Sequence, residues 1–140
     1  MRLPNAYQGC ISIEEQRLVL LPSEEVIDIR SIKRGILFIL ARWSGASQLA
    51  FRALNKALAS LPELDGLYLY IADTDSDKTQ ELLSELGDVP AGAGETYWLV
   101  GGQVQRKLSG YKEEAVSILR DYTRHILPSN NQLSQQDAPR

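Results

Sequence analysis

Two apolar runs, Ile36-Leu37-Phe38-Ile39-Leu40-Ala41 and Leu67-Tyr68-Leu69-Tyr70-Ile71-Ala72, constrain the fold more than anything else in this chain. Neither alternates with polar residues, as a strand exposed on one face would, so each suits a strand covered on both faces of a sheet. Between them Leu49, Ala50, Ala53, Leu54, Ala57, Leu58 and Leu61 recur at three- and four-residue spacing, the signature of an amphipathic helix. Ser44 or Ser47 supplies its N-cap, and Pro62 and Gly66 bracket its exit. Strand, helix and strand in that order form a βαβ unit, which implies parallel pairing through a right-handed crossover.

The rest of the chain is read around that unit. Ile11-Ser12-Ile13 and Arg17-Leu18-Val19-Leu20-Leu21 look extended, joined as a hairpin through Glu14-Glu15-Gln16, and Ser23 through Ile32 reads as a short capped helix or another strand, with the helix preferred. A short helix is expected over residues 78–86, closed by Gly87. Residues 95–100 and 103–108 flank Gly101-Gly102 and read as an antiparallel hairpin. A last helix over residues 112–126 would turn Ala115, Val116, Leu119, Tyr122 and Ile126 to the core, and Pro128 ends it. The expectation is a single domain over residues 1–127 with an irregular N-terminal extension, residues 1–30, and a disordered polar tail, residues 128–140.

Composition narrows the function classes. With 140 residues, 44% of them hydrophobic and 24% charged, the chain has the make-up of one globular domain, not of a collagen, a coiled coil or a disordered segment. No apolar run of about 18 residues exists to cross a bilayer, and residues 1–5 lead into no signal-like block, so a cytoplasmic protein is expected with no membrane partner. Cys10, the one cysteine, excludes an intramolecular disulfide. His125, the one histidine, argues against multi-histidine metal sites and serine–histidine relays.

The order β-α-β-α-β-β-α resembles the thioredoxin fold, a three-layer α/β architecture whose central mixed sheet joins a βαβ unit to an antiparallel hairpin and a closing helix. At residue level, Trp43-Ser44-Gly45-Ala46-Ser47, between a buried strand and an amphipathic helix, is similar to that family's W-C-G-P-C motif. Residues 94–104 resemble its cis-proline strand and hairpin turn, with Gly94 at the proline position, and Gly110 before the last helix also fits. The likeness spans about residues 30–127. What it implies is a redox site from which the chemistry has been removed. That chemistry requires a thiolate at a helix N-terminus and a second cysteine to resolve the mixed disulfide. Both positions are serine here, Phe38 stands where the family often places a buried Asp, and Gly94 replaces the proline that holds a substrate peptide.

Other chemistry is poorly supported by the residues. Ser44 as a nucleophile would need a base within hydrogen-bond reach, and His125 falls on a helix expected to pack elsewhere. Asp73-Thr74-Asp75-Ser76-Asp77 begins like a calcium loop, but Lys78 occupies the turn-glycine position and Ser84 the twelfth, so capping and helix-dipole compensation are the better account and no metal or other cofactor is expected. Trp98, Tyr68 and Tyr70 are read as core or sheet-face packing, whereas Trp43, before a loop, is read as exposed. Cys10 is read as a small, partly buried side chain.

Charge supplies the remaining clue. Residues 61–90 hold eight acids (Glu63, Asp65, Asp73, Asp75, Asp77, Glu81, Glu85, Asp88) against Lys78, a local charge of −7 within a net charge of −3. Phosphate backbones would be repelled there, so nucleic acid is a poor partner. Loops leaving the C-terminal ends of parallel strands share one sheet edge, which would set Trp43, Ser44, Gly45, Ala46 and Ser47 beside Asp73, Asp75 and Asp77, and the resemblance to the thioredoxin fold implies that Gly94 lies close by. The expected function is a non-catalytic protein-binding module that meets a basic partner surface there, specifically an inhibitor or immunity-type protein neutralising a toxin or enzyme. The alternatives are a thiol-independent chaperone or assembly adaptor, and a thioredoxin-related enzyme acting through Ser44 or Cys10.

Overall fold

The computed structural model describes residues 2–23, 28–62, 64 and 66–128. The central βαβ unit forms as the apolar runs require. Among the described elements, helix α1 (Asn5–Gln8) precedes the edge strand β1 (Leu18–Leu20), followed by β2 (Arg34–Leu40), α2 (Gly45–Ala59) and β3 (Tyr68–Asp73). Helix α3 (Asp77–Glu85), the hairpin β4 (Thr96–Val100) and β5 (Gln103–Leu108), and α4 (Val116–Ile126) complete the order. The sheet runs β1-β3-β2-β4-β5, with β1, β3 and β2 parallel and β4 and β5 antiparallel.

Strand periodicity divides the core into two layers. Ile36, Phe38 and Leu40 point with Leu69, Ile71 and Trp98 towards α2 and α4, while Leu37 and Ile39 point with Tyr97 and Leu99 towards Leu82 and Leu83 of α3. Both faces of β2 are therefore covered, which is why its sequence is apolar without alternation. Trp98 is fully buried against Tyr122 at 5.1 Å, and its indole N–H donates to Thr123 Oγ1 at 3.1 Å, so its polar edge is satisfied inside the core.

Two expectations need correction. The hairpin between residues 11–13 and 17–21 does not form. Leu18–Leu20 instead pairs in parallel with β3, Leu18 opposite Leu69 and Leu20 opposite Ile71, so part of the extension read as irregular belongs to the sheet. The free edge of β3 offers a ready row of backbone groups, and residues 11–13 serve as a tether: Ser12 donates its N–H to Asn55 Oδ1 (3.0 Å) and its hydroxyl to Asn55 O (2.9 Å). Tyr68 packs on the sheet face, 40% exposed and stacked on Tyr70 with ring centroids 6.2 Å apart. The last helix opens with a 3-10 turn, Glu113–Ala115, before α4 begins. Of the helix expected after Ser23, residues 24–27 lie outside the described residues, and Ile29–Ser31 is a 3-10 turn. The tail expectation, beyond Pro128, also lies outside them.

One ion pair locks the β4–β5 hairpin to the end of α3. Asp88 accepts hydrogen bonds from Lys107 Nζ (2.9 Å) and Tyr97 Oη (2.8 Å), and Lys107 chiefly holds its carboxyl below the usual carboxylate range. A folded pKa below the unfolded one means the stabilisation is complete above the unfolded value and is lost as pH falls through the folded one. Asp88→Asn should therefore lower stability by about 1 kcal/mol at neutral pH and flatten the acid limb, read by urea unfolding at stepped pH.

Candidate functional site

The loop between β2 and α2 is built by its own serines. Ser44 is the N-cap of α2: its hydroxyl accepts the Ser47 N–H at 3.3 Å and donates to Gly92 O at 2.6 Å, tying the loop to residues 91–94. Ser47 is fully buried and does different work. Its hydroxyl accepts the Ala41 N–H at 3.0 Å and lies 2.9 Å from the Tyr7 hydroxyl, which is also 3.3 Å from Ala41 O. Burial raises the Tyr7 pKa above its ordinary value, so this hydroxyl is neutral at physiological pH and available as a donor.

Trp43 stands out from this frame at 66% exposure. Its ring leans on the backbone of Gly92, where φ is +71° and any side chain would run into the indole. Beneath it, Glu95 is buried and its carboxylate accepts the N–H groups of Ala91 (2.6 Å) and Ala93 (3.1 Å), which fixes the turn that supports the indole. Gly94 lies deeper. Its φ is +68°, and a β-carbon there would sit 2.5 Å from Ala50 Cβ, so it lets the turn pass over α2.

The second loop lies alongside, as parallel strands demand. Thr74 N–H donates to Leu40 O at 2.8 Å, and Arg42 pairs with Asp73 at 2.7 Å while also donating to Arg2 O. Asp73 further accepts the Asp75 N–H at 2.9 Å. Asp73 is thus half-buried and paired, whereas Asp75 and Asp77 are exposed. Asp77 opens α3, where its charge suits the helix dipole, but Ser76, the N-cap residue, makes no side-chain cap bond. Among the described residues no group of three His, Cys, Asp or Glu could hold a metal ion.

The nine residues singled out from the sequence therefore do gather at one edge of the sheet, in two tiers. Trp43, Gly45, Ala46, Asp75 and Asp77 are exposed, Ser44 and Asp73 are half-buried, and Ser47 and Gly94 are buried supports that no partner could touch. Sequence reasoning missed Tyr7, Arg42, Gly92 and Glu95. A glutamate next to a glycine-rich turn was the one available hint, since a carboxylate can gather successive backbone N–H groups. Among the described residues neither serine hydroxyl is hydrogen-bonded to a base: His125 is exposed in the last turn of α4, with no hydrogen bond to the loop.

A parallel pair joined by α2, an antiparallel hairpin and helices on both faces define a three-layer α/β protein with its loops at the C-terminal edge of β2 and β3. Its likeness among solved structures is to thioredoxins. Reduced desulfothioredoxin from Desulfovibrio vulgaris Hildenborough matches with a TM-score of 0.51 at 18% identity, over 66% of this chain and 84% of that one. Malassezia sympodialis thioredoxin, Mala s 13, matches with a TM-score of 0.50 at 16% identity, over 65% and 76%. The chain thus has a thioredoxin-like fold. No protein-family model and no curated protein sequence matches it. No helix among the described residues is long and apolar enough to cross a membrane.

Proposed function

We propose that the protein is a redox-inactive, thioredoxin-like protein-binding module whose Trp43 face engages a basic partner surface, in the manner of an inhibitor or immunity protein that neutralises a toxin or enzyme. One observation carries the reading: at the loop where the resemblance puts the thiols, both serines are engaged within the fold, while Trp43 is exposed next to Arg42, whose pairing with Asp73 joins this loop to the one that carries the exposed Asp75 and Asp77. A pre-positioned indole suits the desolvated centre of an interface, because its support is already fixed in the free protein. Two acids at the rim would steer a cationic partner and set the salt dependence of the encounter. Asp73 adds little to that field because Arg42 neutralises it.

The test compares affinity captures from the native host. Proteins held by the wild type should be lost from Trp43→Ala, with affinity for a purified partner falling at least about tenfold. Asp75→Lys with Asp77→Lys should slow association and reduce its salt dependence, leaving dissociation nearly unchanged. Captures identical for wild type and Trp43→Ala would remove the face from consideration. Insulin reduction above background would refute redox inactivity.

A further inference from the structure

A cleft of about 550 Å³ lies between α2 and the turn that follows α1, sharing no residue with the Trp43 face. Its size falls within the range of about 300–1,000 Å³ typical of small-ligand sites. The lining is mainly apolar: Ala53 is buried at the floor, Cys10 is half-buried in the wall, and Leu49 is 42% exposed at the mouth. An aliphatic side chain left open to water beside buried alanine is surface that a ligand would desolvate.

The rim is cationic within an acidic protein. Arg52 and Lys56 are one helical turn apart, and α2 carries no acidic residue to offset them. Glu113, arriving from the 3-10 turn before α4, pairs with Lys56, and the Arg52 charge further favours its ionised form. That pair is weakly held, since both side chains are more than half exposed. Among the described residues Arg52 donates no hydrogen bond, so its guanidinium has its donors available. Glu113 thus marks where a negative charge is stable: above an apolar cleft, within reach of two cations.

We propose that this cleft binds an anionic amphiphile, with an aliphatic chain against Leu49, Ala53 and Cys10 and a carboxylate or phosphate head replacing Glu113 between Arg52 and Lys56. Chain burial supplies affinity and the two cations supply the charge preference. The proposal stands apart from the partner-binding reading, because it uses different residues and a different helix face.

The test is titration of the purified full chain with dodecanoate, dodecyl phosphate and dodecyltrimethylammonium below their micellar concentrations, followed by calorimetry and by the rate of Cys10 alkylation with iodoacetamide. Both anions should bind and slow alkylation, and the cation should not. Arg52→Glu with Lys56→Glu should weaken anion binding about tenfold, and Glu113→Gln should tighten it about threefold by freeing Lys56. These side chains are exposed, and circular dichroism checks that each variant is folded. Equal binding of anions and cation, or no binding, overturns the proposal, as does tighter binding to the double Glu variant. Binding only to vesicles of anionic phospholipid, with no uptake of the monomeric anions, also overturns it by pointing to a membrane surface instead of a cleft.

Discussion

Gly94→Ala is expected to destabilise the protein by about 2–4 kcal/mol, lowering the thermal midpoint by roughly 10 °C. Two separate costs combine. An L-residue at φ +68° pays about 1–2 kcal/mol of backbone strain, and the added methyl would lie 2.5 Å from Ala50 Cβ, inside a packed face of α2 that includes Phe38 as neighbour. Gly101→Ala provides the control. Gly101 has φ +60° with open space around it, so only the strain of about 1–2 kcal/mol should appear. If denaturant unfolding gives the two variants the same loss, the packing half of the account is wrong. The same geometry explains why proline is foreign to this position, since its ring holds φ near −65°.

Ser47→Ala carries the second large effect, about 2–3 kcal/mol of lost stability. The hydroxyl is fully buried, and its removal leaves the Ala41 N–H without its acceptor and deprives the Tyr7 hydroxyl of its shorter contact. Tyr7→Phe should cost less, about 1 kcal/mol, because the Ala41 carbonyl that this hydroxyl also reaches still accepts the Ser44 N–H, so no backbone group is stranded. The double variant should lose less than the sum of the two, a coupling that equilibrium unfolding resolves if it reaches about 0.5 kcal/mol. Strict additivity would mean that the two hydroxyls do not act together. This network ties α1 to the start of α2, so the loop beneath Trp43 should also loosen in the variant, with faster hydrogen exchange at Ala41.

These two positions also show how far the sequence could be read. Gly94 and Ser47 both read from the sequence as surface of a partner site, because a resemblance assigns positions to a motif without saying which way a side chain faces. Ser47 turns inward since it sits three residues after the N-cap, on the face of α2 that meets β2 and Tyr7. Asp73 belongs by position to the −7 segment, yet the pairing of β2 with β3 sets it against Arg42, thirty-one positions away in the chain. Formal charge is additive along a sequence, whereas the field a partner meets depends on which charges the fold brings together.

What the sequence determined by itself was the order of the elements from β2 onward and the βαβ core, through local signals: unbroken apolar runs, three- and four-residue spacing, and Gly101-Gly102 as a turn. It also determined that the loop after β2 offers hydroxyls instead of thiols. The tertiary structure alone decided that Leu18–Leu20 joins the sheet beside β3, that Trp43 rests on Gly92 over the Glu95 turn, and that Cys10 faces a cleft rimmed by Arg52 and Lys56. The physical reason is range. Periodicity and capping act over a few residues and are written in the chain, while backbone pairing, burial and ion pairing depend on which distant segment arrives opposite, and folding settles that through the packing of the whole.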